Sequence, residues 1–204
     1  MVGKAAGAGK GLGVMLAEER VLHLLRKTGA LLDGHFRLTS GRHSDRYIQC
    51  ARLLQYPQYA AELGAALGER FARDEVQTVV GPAMGGILVS YEVARNLGVR
   101  SLFTERENGR MTLRRGFALA EGERVLVVED VITTGGSVEE VLAVVREHGA
   151  VPVGVGALAD RSSGKVCWMV RLEALIRLNV TSYPPEECPL CRDGIPVVKP
   201  GSRS

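Results

Sequence analysis

The segment VLVVEDVITTGGS at residues 125–137 combines groups that could hold a sugar phosphate. Its leading apolar residues predict a strand buried on both faces, and Glu129 and Asp130 stand at the carboxyl end of that strand. Two threonines, two glycines and Ser137 then lead into a helix, whose first backbone N–H groups favour an anion. The glycines allow the backbone to approach that anion closely.

The two carboxylates of this segment repel phosphate and therefore need another ligand. Carboxylate oxygens suit the hydroxyls of a sugar, or a magnesium ion that phosphate groups hold. In open α/β sheets, ligands bind at the carboxyl ends of the strands, which is where Glu129 and Asp130 lie. The segment predicts a cradle for a ribose 5-phosphate with the two acids on the ring hydroxyls. The plain alternative is a strand, a turn and a helix that bind nothing.

The composition is that of a globular protein. The chain has 204 residues, of which 46% are hydrophobic and 24% charged, and this excludes a disordered chain or a fibre. It contains no apolar run of about 18 residues, so we expect no membrane span. The net charge of +3 is too small to favour nucleic acid by bulk attraction.

The compartment and the N-terminus follow from small details. Four cysteines are too few for a disulfide framework, and the first residues lack the apolar core of a signal peptide, so we expect a cytoplasmic protein. The GAGKG sequence near the start resembles a phosphate loop, but Lys4 and Gly11 stand where that loop needs a glycine and a hydroxyl. Residues 1–14 are predicted to be a flexible tail.

Hydrophobic periodicity predicts alternating helices and strands along the rest of the chain. Helices are predicted at 15–29, 57–73, 87–98 and 137–149. Strands are predicted at 76–86, 99–105, 123–130 and 150–161, with residues 131–136 as a loop. Strand, helix and strand in this order predict an α/β fold with a central, mostly parallel sheet flanked by helices.

Two further stretches do not follow this order. Residues 34–57 alternate apolar and polar around a Ser-Gly pair, which predicts short antiparallel strands. The stretch ENGRMTLRRGFALAEG at 107–122 is too polar for a core and too long for an ordinary loop, so it is predicted to be a mobile flap.

The segment EDVITTGGS resembles the phosphoribosyl-diphosphate (PRPP) signature of type I phosphoribosyltransferases, in the version seen in orotate phosphoribosyltransferases. Four other stretches resemble the same family: GHFRLTSGRHS its N-terminal hood, GPAMGG its pyrophosphate loop, ADRSSG its strand-end arginine turn, and CPLCRDGIPVVKPGS the C-terminal tail of one branch. The resemblance implies the type I phosphoribosyltransferase fold with a small hood. It also implies one domain over 15–204, with a hood from about 30–56 plus the C-terminal segment and a core at about 57–160.

The resemblance implies a reaction in which a ring nitrogen of orotate attacks PRPP and pyrophosphate leaves. It implies that magnesium is bound through PRPP, with no metal held directly by the protein. The implied PRPP-binding residues are Glu129, Asp130, Val131, Ile132, Thr133, Thr134, Gly135, Gly136, Ser137, Gly85 and Arg106. The implied orotate-binding residues are Thr133, Arg161, Ser40 and Gly41. The implied catalytic residues are Arg110, Arg106 and Asp130.

The flap is where this sequence departs from the family. Many relatives carry lysines at the positions of Thr39, Gly85 and Arg110, whereas this chain has no lysine between Lys27 and Lys165. Arginine can neutralise a leaving pyrophosphate but is a poor proton donor. In the family the flap reaches the partner's active site, which implies a homodimer. For Arg114 and Arg115 an ordinary solvated charged loop is the alternative.

The pair Cys188-Pro-Leu-Cys191 has the spacing of metal ligands. A zinc site needs two more ligands, and Cys50 and Cys167 are distant in sequence with no histidine nearby, so we expect a structural tail without metal. A disulfide and a metal shared between subunits remain open. His35 and His43 are interpreted as ordinary polar residues of the hood.

Three functions are compatible with these features. The first is orotate phosphoribosyltransferase in pyrimidine (UMP) synthesis, which the hood sequence and Arg161 favour. The second is a purine-type phosphoribosyltransferase. The third is a nucleotide-sensing regulator on the PRPP fold, which would need a helix-turn-helix segment or a basic face that the sequence does not show.

Overall fold

A computed structural model of the protein describes residues 18–38 and 40–200. The tail predicted at residues 1–14, and Thr39, lie outside these residues. The helices are α1 (Glu18–Lys27), α2 (Ala51–Leu54), α3 (Pro57–Glu69), α4 (Gly85–Leu97), α5 (Gly136–Glu147) and α6 (Pro189–Arg192). The strands are β1 (Leu31–Arg37), β2 (His43–Ile48), β3 (Thr78–Pro82), β4 (Arg100–Glu107), β5 (Arg110–Leu113), β6 (Arg124–Ile132), β7 (Val151–Asp160), β8 (Leu172–Arg177) and β9 (Ser182–Tyr183).

A six-stranded sheet forms the centre of the molecule, with the strand order β5-β4-β3-β6-β7-β8. All of its neighbouring pairs are parallel except β4 and β5. The mostly parallel α/β sheet predicted from the sequence is therefore confirmed. The carboxyl ends of β3, β6 and β7 lie side by side at one edge, where ligands bind in such sheets.

Strand β6 is buried on both faces of this sheet. Leu126 and Val128 belong to the core shared with α3 and α4, whereas Val125 and Val127 belong to the core shared with α5. Successive side chains of a strand point to opposite faces, so an uninterrupted apolar run is what a doubly covered strand needs. Packing on both faces therefore fixes the position of the strand end that carries Glu129.

A second, three-stranded sheet forms the hood, with the order β1-β2-β9 and antiparallel pairing throughout. The short antiparallel strands predicted at 34–57 are thus present. The C-terminal segment returns to this sheet, where Val198 pairs with β1: its N–H donates to the carbonyl of His35 at 2.8 Å. The carbonyl of Val198 accepts from the N–H of Arg37, also at 2.8 Å.

Three boundaries differ from the sequence-based prediction. Strand β6 continues through Ile132, whose side chain is 1% exposed, so the predicted loop at 131–136 begins later. The first half of the predicted flap is an ordered hairpin, because Asn108 and Gly109 take positive φ values of 51° and 83° and turn β4 back into β5. Asn-Gly is the favoured pair for such a turn. Strand β8 also extends the central sheet beyond residue 160.

Across the described ranges, no helix has the length and apolar character needed to cross a membrane.

Candidate active site

Three chain segments leave the carboxyl edge of the central sheet next to one another. The turn after β3 contains Gly85, the loop after β6 contains residues 133–135, and Arg161 directly follows β7. The N–H of Arg161 donates to the carbonyl of Ile132 at 2.8 Å, which joins the second segment to the third. The parallel order of the strands therefore gathers residues that lie about 50 and 25 positions apart in the sequence.

Glu129 and Asp130 form a buried carboxyl pair at the end of β6. Burial raises the pKa of Glu129 well above its ordinary value, and the charge of Asp130 raises it further. Burial also raises the pKa of Asp130, although the Val131 N–H donates to its Oδ1 at 2.7 Å and opposes the shift. The pair therefore retains protons more readily than exposed acids do, and a ligand that donates hydrogen bonds or carries positive charge would favour its ionised form.

The loop after β6 leads into the N-terminus of α5 through Gly135. This residue has a φ of +81°, and a Cβ there would lie 2.8 Å from side-chain atoms of both Val166 and Trp168, so only glycine fits. Thr133, Thr134 and Ser137 are exposed beside it. Together with Glu129 these residues line a cleft of about 50 Å³. The first N–H groups of α5 have no partner inside the helix, which makes this end an anion site.

The turn after β3 packs tightly against the acids. A Cβ at Gly85 would lie 2.5 Å from Cγ of Asp130, and a Cβ at Gly81 would overlap the backbone of Gly86. The backbone of this turn can therefore approach a ligand beside the Asp130 carboxylate. A side chain at position 85 would have to displace the Asp130 carboxylate.

Arg161 directly follows β7 and is half-buried. Burial lowers its pKa, while the phenol of Tyr47 on β2 acts in the opposite direction. Its Nε is buried and donates to no acceptor within residues 18–38 and 40–200. A buried donor without an acceptor is costly, so this guanidinium is suited to an anionic ligand that enters the cleft.

The arginines of the predicted flap lie on and after the β4–β5 hairpin, where their partners are glutamates. Arg106 binds Glu140 at 2.7 Å, and Arg110 lies 4.0 Å from Glu147, both on α5. Arg110 is also 83% exposed along its side chain.

The two arginines that follow this hairpin are also paired with glutamates. Arg114 lies 3.2 Å from Glu107, and Arg115 binds both carboxylate oxygens of Glu105. Within the described residues, Arg110 is therefore the most weakly held cation of the four.

Ser40 and Gly41 occupy the exposed turn between β1 and β2. The Gly41 N–H donates to the Leu38 carbonyl at 2.9 Å, and Gly41 has a φ of +81°. Among the described residues other than its two chain neighbours, no atom lies within 4 Å of a Cβ built at Gly41.

The premise that no histidine lies near the C-terminal cysteines is wrong, because the chain brings His35 and His43 beside them. Nε2 of His35 is 3.5 Å from Sγ of Cys188, and Nδ1 of His43 is 3.3 Å from Sγ of Cys191. All four ligand atoms lie within 4.8 Å of one another. The ring of His35 and the thiol of Cys188 are 153 residues apart, so distance along the chain concealed the cluster. A His-x7-His pair across a hairpin was the signal that could have revealed it.

Known proteins resemble this chain in sequence and in fold. Residues 50–170 match the phosphoribosyl transferase domain family. The chain is 64% identical over 185 residues to the orotate phosphoribosyltransferase of Desulforamulus reducens, covering 91% of this chain and 97% of that protein. It is 56% identical to that of Thermotoga maritima, covering 90% and 98%. The crystal structure of orotate phosphoribosyltransferase from Aeropyrum pernix superposes with a TM-score of 0.63 at 31% identity, covering 78% and 93%.

The fold is that of the type I phosphoribosyltransferases, enzymes that transfer a pentose phosphate. Within them, the chain belongs to the orotate phosphoribosyltransferase family.

Proposed function

We propose that the protein transfers the phosphoribosyl group of PRPP to a ring nitrogen of orotate at this edge of the sheet, giving orotidine 5′-phosphate and pyrophosphate. The observation that carries the choice of acceptor is the buried Nε of Arg161, which lacks an acceptor among the described residues. Orotate carries a carboxylate that the planar guanidinium can bind through two hydrogen bonds. A purine base offers no such anion.

The binding of PRPP is assigned to two loops. The 5-phosphate would accept hydrogen bonds from the backbone of Thr134 to Ser137 and lie at the positive end of α5. The ribose hydroxyls would donate to Glu129 and Asp130. Val131 and Ile132 contribute through the backbone, since the Ile132 side chain belongs to the core. The turn from Gly81 to Gly86 would offer N–H groups to the pyrophosphate.

The acceptor is proposed to lie between Thr133, Arg161 and the hood turn of Ser40 and Gly41. Arg161 connects these parts because it follows β7, while Tyr47 of the hood influences its pKa. Holding both substrates in line removes much of the entropic cost of their encounter. Closure around them would exclude water, which would otherwise hydrolyse the sugar cation.

The residues at this edge also fit the magnesium ion that the family implies. Two buried carboxylates with raised pKa values form a hard oxygen donor set that gains from a nearby cation. Glu129 and Asp130 would hold the ion through the PRPP hydroxyls that they bind. When bound, magnesium neutralises charge on the leaving pyrophosphate.

The remaining cations for the leaving group are assigned to the flap of a second copy of the chain. Arg110 and Arg106 rest on α5 in this structure, and Arg110 is free enough to move. Met84 directly before α4, and Leu88 and Tyr91 on α4, follow helical spacing, and their side chains are exposed at 84%, 48% and 59%. An exposed apolar stripe of this kind is typical of a subunit interface, so the assembly is proposed to be a homodimer.

Two broader proposals complete the picture. Residues 15–204 are proposed to form one domain, in which the hood and the C-terminal segment cover the strand-end site. A cytoplasmic location is proposed because none of the four cysteines, Cys50, Cys167, Cys188 and Cys191, forms a disulfide in the structure.

A direct assay tests the reaction. The protein is mixed with PRPP, magnesium and orotate, and the loss of orotate absorbance is followed. Turnover with orotate and none with adenine or guanine is expected. Turnover with a purine but not with orotate would refute the proposal, and a protein that binds PRPP without any turnover would favour a regulator.

A further inference from the structure

The side chains of His35, His43, Cys188 and Cys191, which we call the hood cluster, converge from three parts of the chain. His35 lies on β1, His43 begins β2, Cys188 directly precedes α6 and Cys191 lies within it. Cys188 and both histidines are buried, and Cys191 lies at the surface. The cluster joins elements of the hood and the C-terminal segment, whereas the acids of the active site belong to the central sheet.

Three distances within the hood cluster are close to the edges of a zinc tetrahedron, and all four ligand atoms lie within 4.8 Å of one another. Zinc lies about 2.3 Å from sulfur and about 2.0 to 2.1 Å from nitrogen, so a regular site has S···N edges of about 3.6 Å and an N···N edge of about 3.3 Å. The three recorded S···N distances are 3.5, 3.7 and 3.3 Å, and the two histidine nitrogens are 2.9 Å apart. The distance between Nε2 of His35 and Nδ1 of His43 would have to increase by about 0.4 Å for the ion to bind.

The far side of the His35 ring is arranged as in a metal ligand. Its Nδ1 lies 2.7 Å from the carbonyl of Ile195, which can only accept, so Nδ1 carries the proton. The neutral ring then presents the lone pair of Nε2 to the two thiols and to His43. A backbone acceptor that fixes the tautomer of a histidine in this way is the usual outer partner of a ligating imidazole.

The C-terminal segment has little else to hold it. None of the side chains in residues 189–200 is buried, and Ile195, Val197 and Val198 are each more than 40% exposed. The segment makes a single bridge to β1, through Val198. Ordering each residue costs conformational entropy, which this small contact surface does not offset. A cross-link at Cys188 and Cys191 would supply the missing stabilisation.

We propose that the hood cluster binds one Zn²⁺ ion in a closed tetrahedral site that fixes the C-terminal segment to the hood. Two thiolates and two neutral imidazoles fill all four positions, which is the pattern of structural rather than catalytic zinc. Each cysteine releases its proton to solvent as the ion binds, so binding liberates two protons and changes no oxidation state. The site stands independently of the reaction at the strand-end edge.

Metal analysis of the full-length protein tests this. The chain is produced without a histidine tag, freed of loosely bound metal by gel filtration, and analysed by inductively coupled plasma mass spectrometry. We expect about one zinc per chain. We expect at least a tenfold loss of zinc in the Cys188→Ser/Cys191→Ser variant and no loss in Cys167→Ser, the matched control at an exposed cysteine outside the cluster.

A measurement on the unaltered protein covers the case in which the double variant does not fold. Thiol titration of the native chain should find two more reactive cysteines after a zinc chelator is added, and the chelator should lower the melting temperature. Cobalt added to the chelated protein should give the intense absorption of a tetrahedral site with thiolate ligands. Absence of zinc after incubation with it, another metal at that stoichiometry, or a Cys188–Cys191 disulfide found by mass spectrometry would each overturn the proposal.

Discussion

Gly85 lies directly against the carboxylate of Asp130. A Cβ at position 85 would come within 2.8 Å of Oδ1 and closer still to the other two carboxyl atoms of that residue. Gly85 is the first residue of α4, and Asp130 stands on β6, so the contact joins the proposed pyrophosphate turn to the proposed ribose site. Asp130 occupies the space that any side chain at position 85 would need, which gives a structural reason why a residue without a side chain suits this position.

The first prediction concerns this contact. Gly85→Ala should lower kcat/KM for PRPP by about 10- to 100-fold, because displacing a reacting group by about 1 Å has effects of that size. Steady-state kinetics measures the loss. If the methyl group acts through the carboxylate, the losses of Gly85→Ala and Asp130→Ala should not add in the double variant. Fully additive losses would mean that Gly85 acts through the backbone alone.

The second prediction concerns stability and pH at Glu129. Its pKa is raised in the folded chain, so between its ordinary and its raised value the folded state retains a proton that the unfolded state has lost. Stability therefore falls as pH rises through that window. Glu129→Gln removes the titrating group, and the variant should be more stable than the native chain at about pH 7, by at least about 1 kcal/mol.

Urea unfolding at two pH values checks this. The gain of Glu129→Gln should disappear near pH 3, about one unit below the ordinary pKa of a glutamate, where the carboxyl is protonated in both states. The exposed Glu121→Gln serves as the charge-matched control and should show no such dependence. Equal stability of Glu129→Gln and the native chain at neutral pH would contradict the prediction, because it would mean that the Glu129 carboxyl does not lower the stability of the folded state at that pH.

The third prediction concerns the flap. Arg110→Ala should lower kcat by at least about tenfold, as the loss of one charge-stabilising group does. The fold should be unaffected, because the side chain is 83% exposed and only 4.0 Å from Glu147. Arg110→Lys keeps the charge and should retain most of the rate, and Arg26→Ala on α1 is the control. An unchanged rate in Arg110→Ala would assign the role to another cation.

The fourth prediction tests whether the flap acts across a subunit interface. Asp130→Ala and Arg110→Ala chains should each be slowed at least about tenfold, but mixed and re-associated in equal amounts they should recover activity. Random pairing in a dimer leaves roughly a quarter of the sites intact. Activity equal to the average of the separate variants would place the flap over its own site, and light scattering reports whether the dimer forms.

The fifth prediction concerns the acceptor. Arg161→Lys should raise the KM for orotate and lower kcat/KM for it by at least about 30-fold, because lysine cannot bind a carboxylate through a planar fork. The KM for PRPP should stay nearly constant, which serves as the internal control. A rise in the PRPP constant alone would place Arg161 at the phosphate side of the cleft.

Much of the strand-end edge could be predicted from the sequence because its chemistry is contiguous. The proposed site residues Glu129 and Asp130, and the glycines after them, come at the end of one strand. The uninterrupted apolar run of that strand indicates that it is buried on both faces. The parallel order of the strands then follows from the alternation of helices and strands. The sequence did not predict the exact end of β6. The strand continues two residues beyond the predicted end, because the apolar side chain of Ile132 packs in the core.

Other features needed attention to local turn chemistry. The Asn108-Gly109 pair is a strong hairpin signal, yet the surrounding charges favoured a loop in the sequence-based prediction. Arg106 and Arg110 are therefore held at an ordered edge of the sheet, with acids of α5 as partners. Their identity was readable in the sequence, whereas their pairing was not.

The sequence by itself determined the proposed phosphate loop, the acids beside it and the absence of lysine between Lys27 and Lys165. Only the tertiary structure decided that Gly85 lies against Asp130 and that His35 meets Cys188. The physical reason is range: neighbours on one strand or loop are fixed by local geometry. Contacts between residues 45 or 153 positions apart depend instead on how the whole chain packs. A short sequence motif contains no information about that packing.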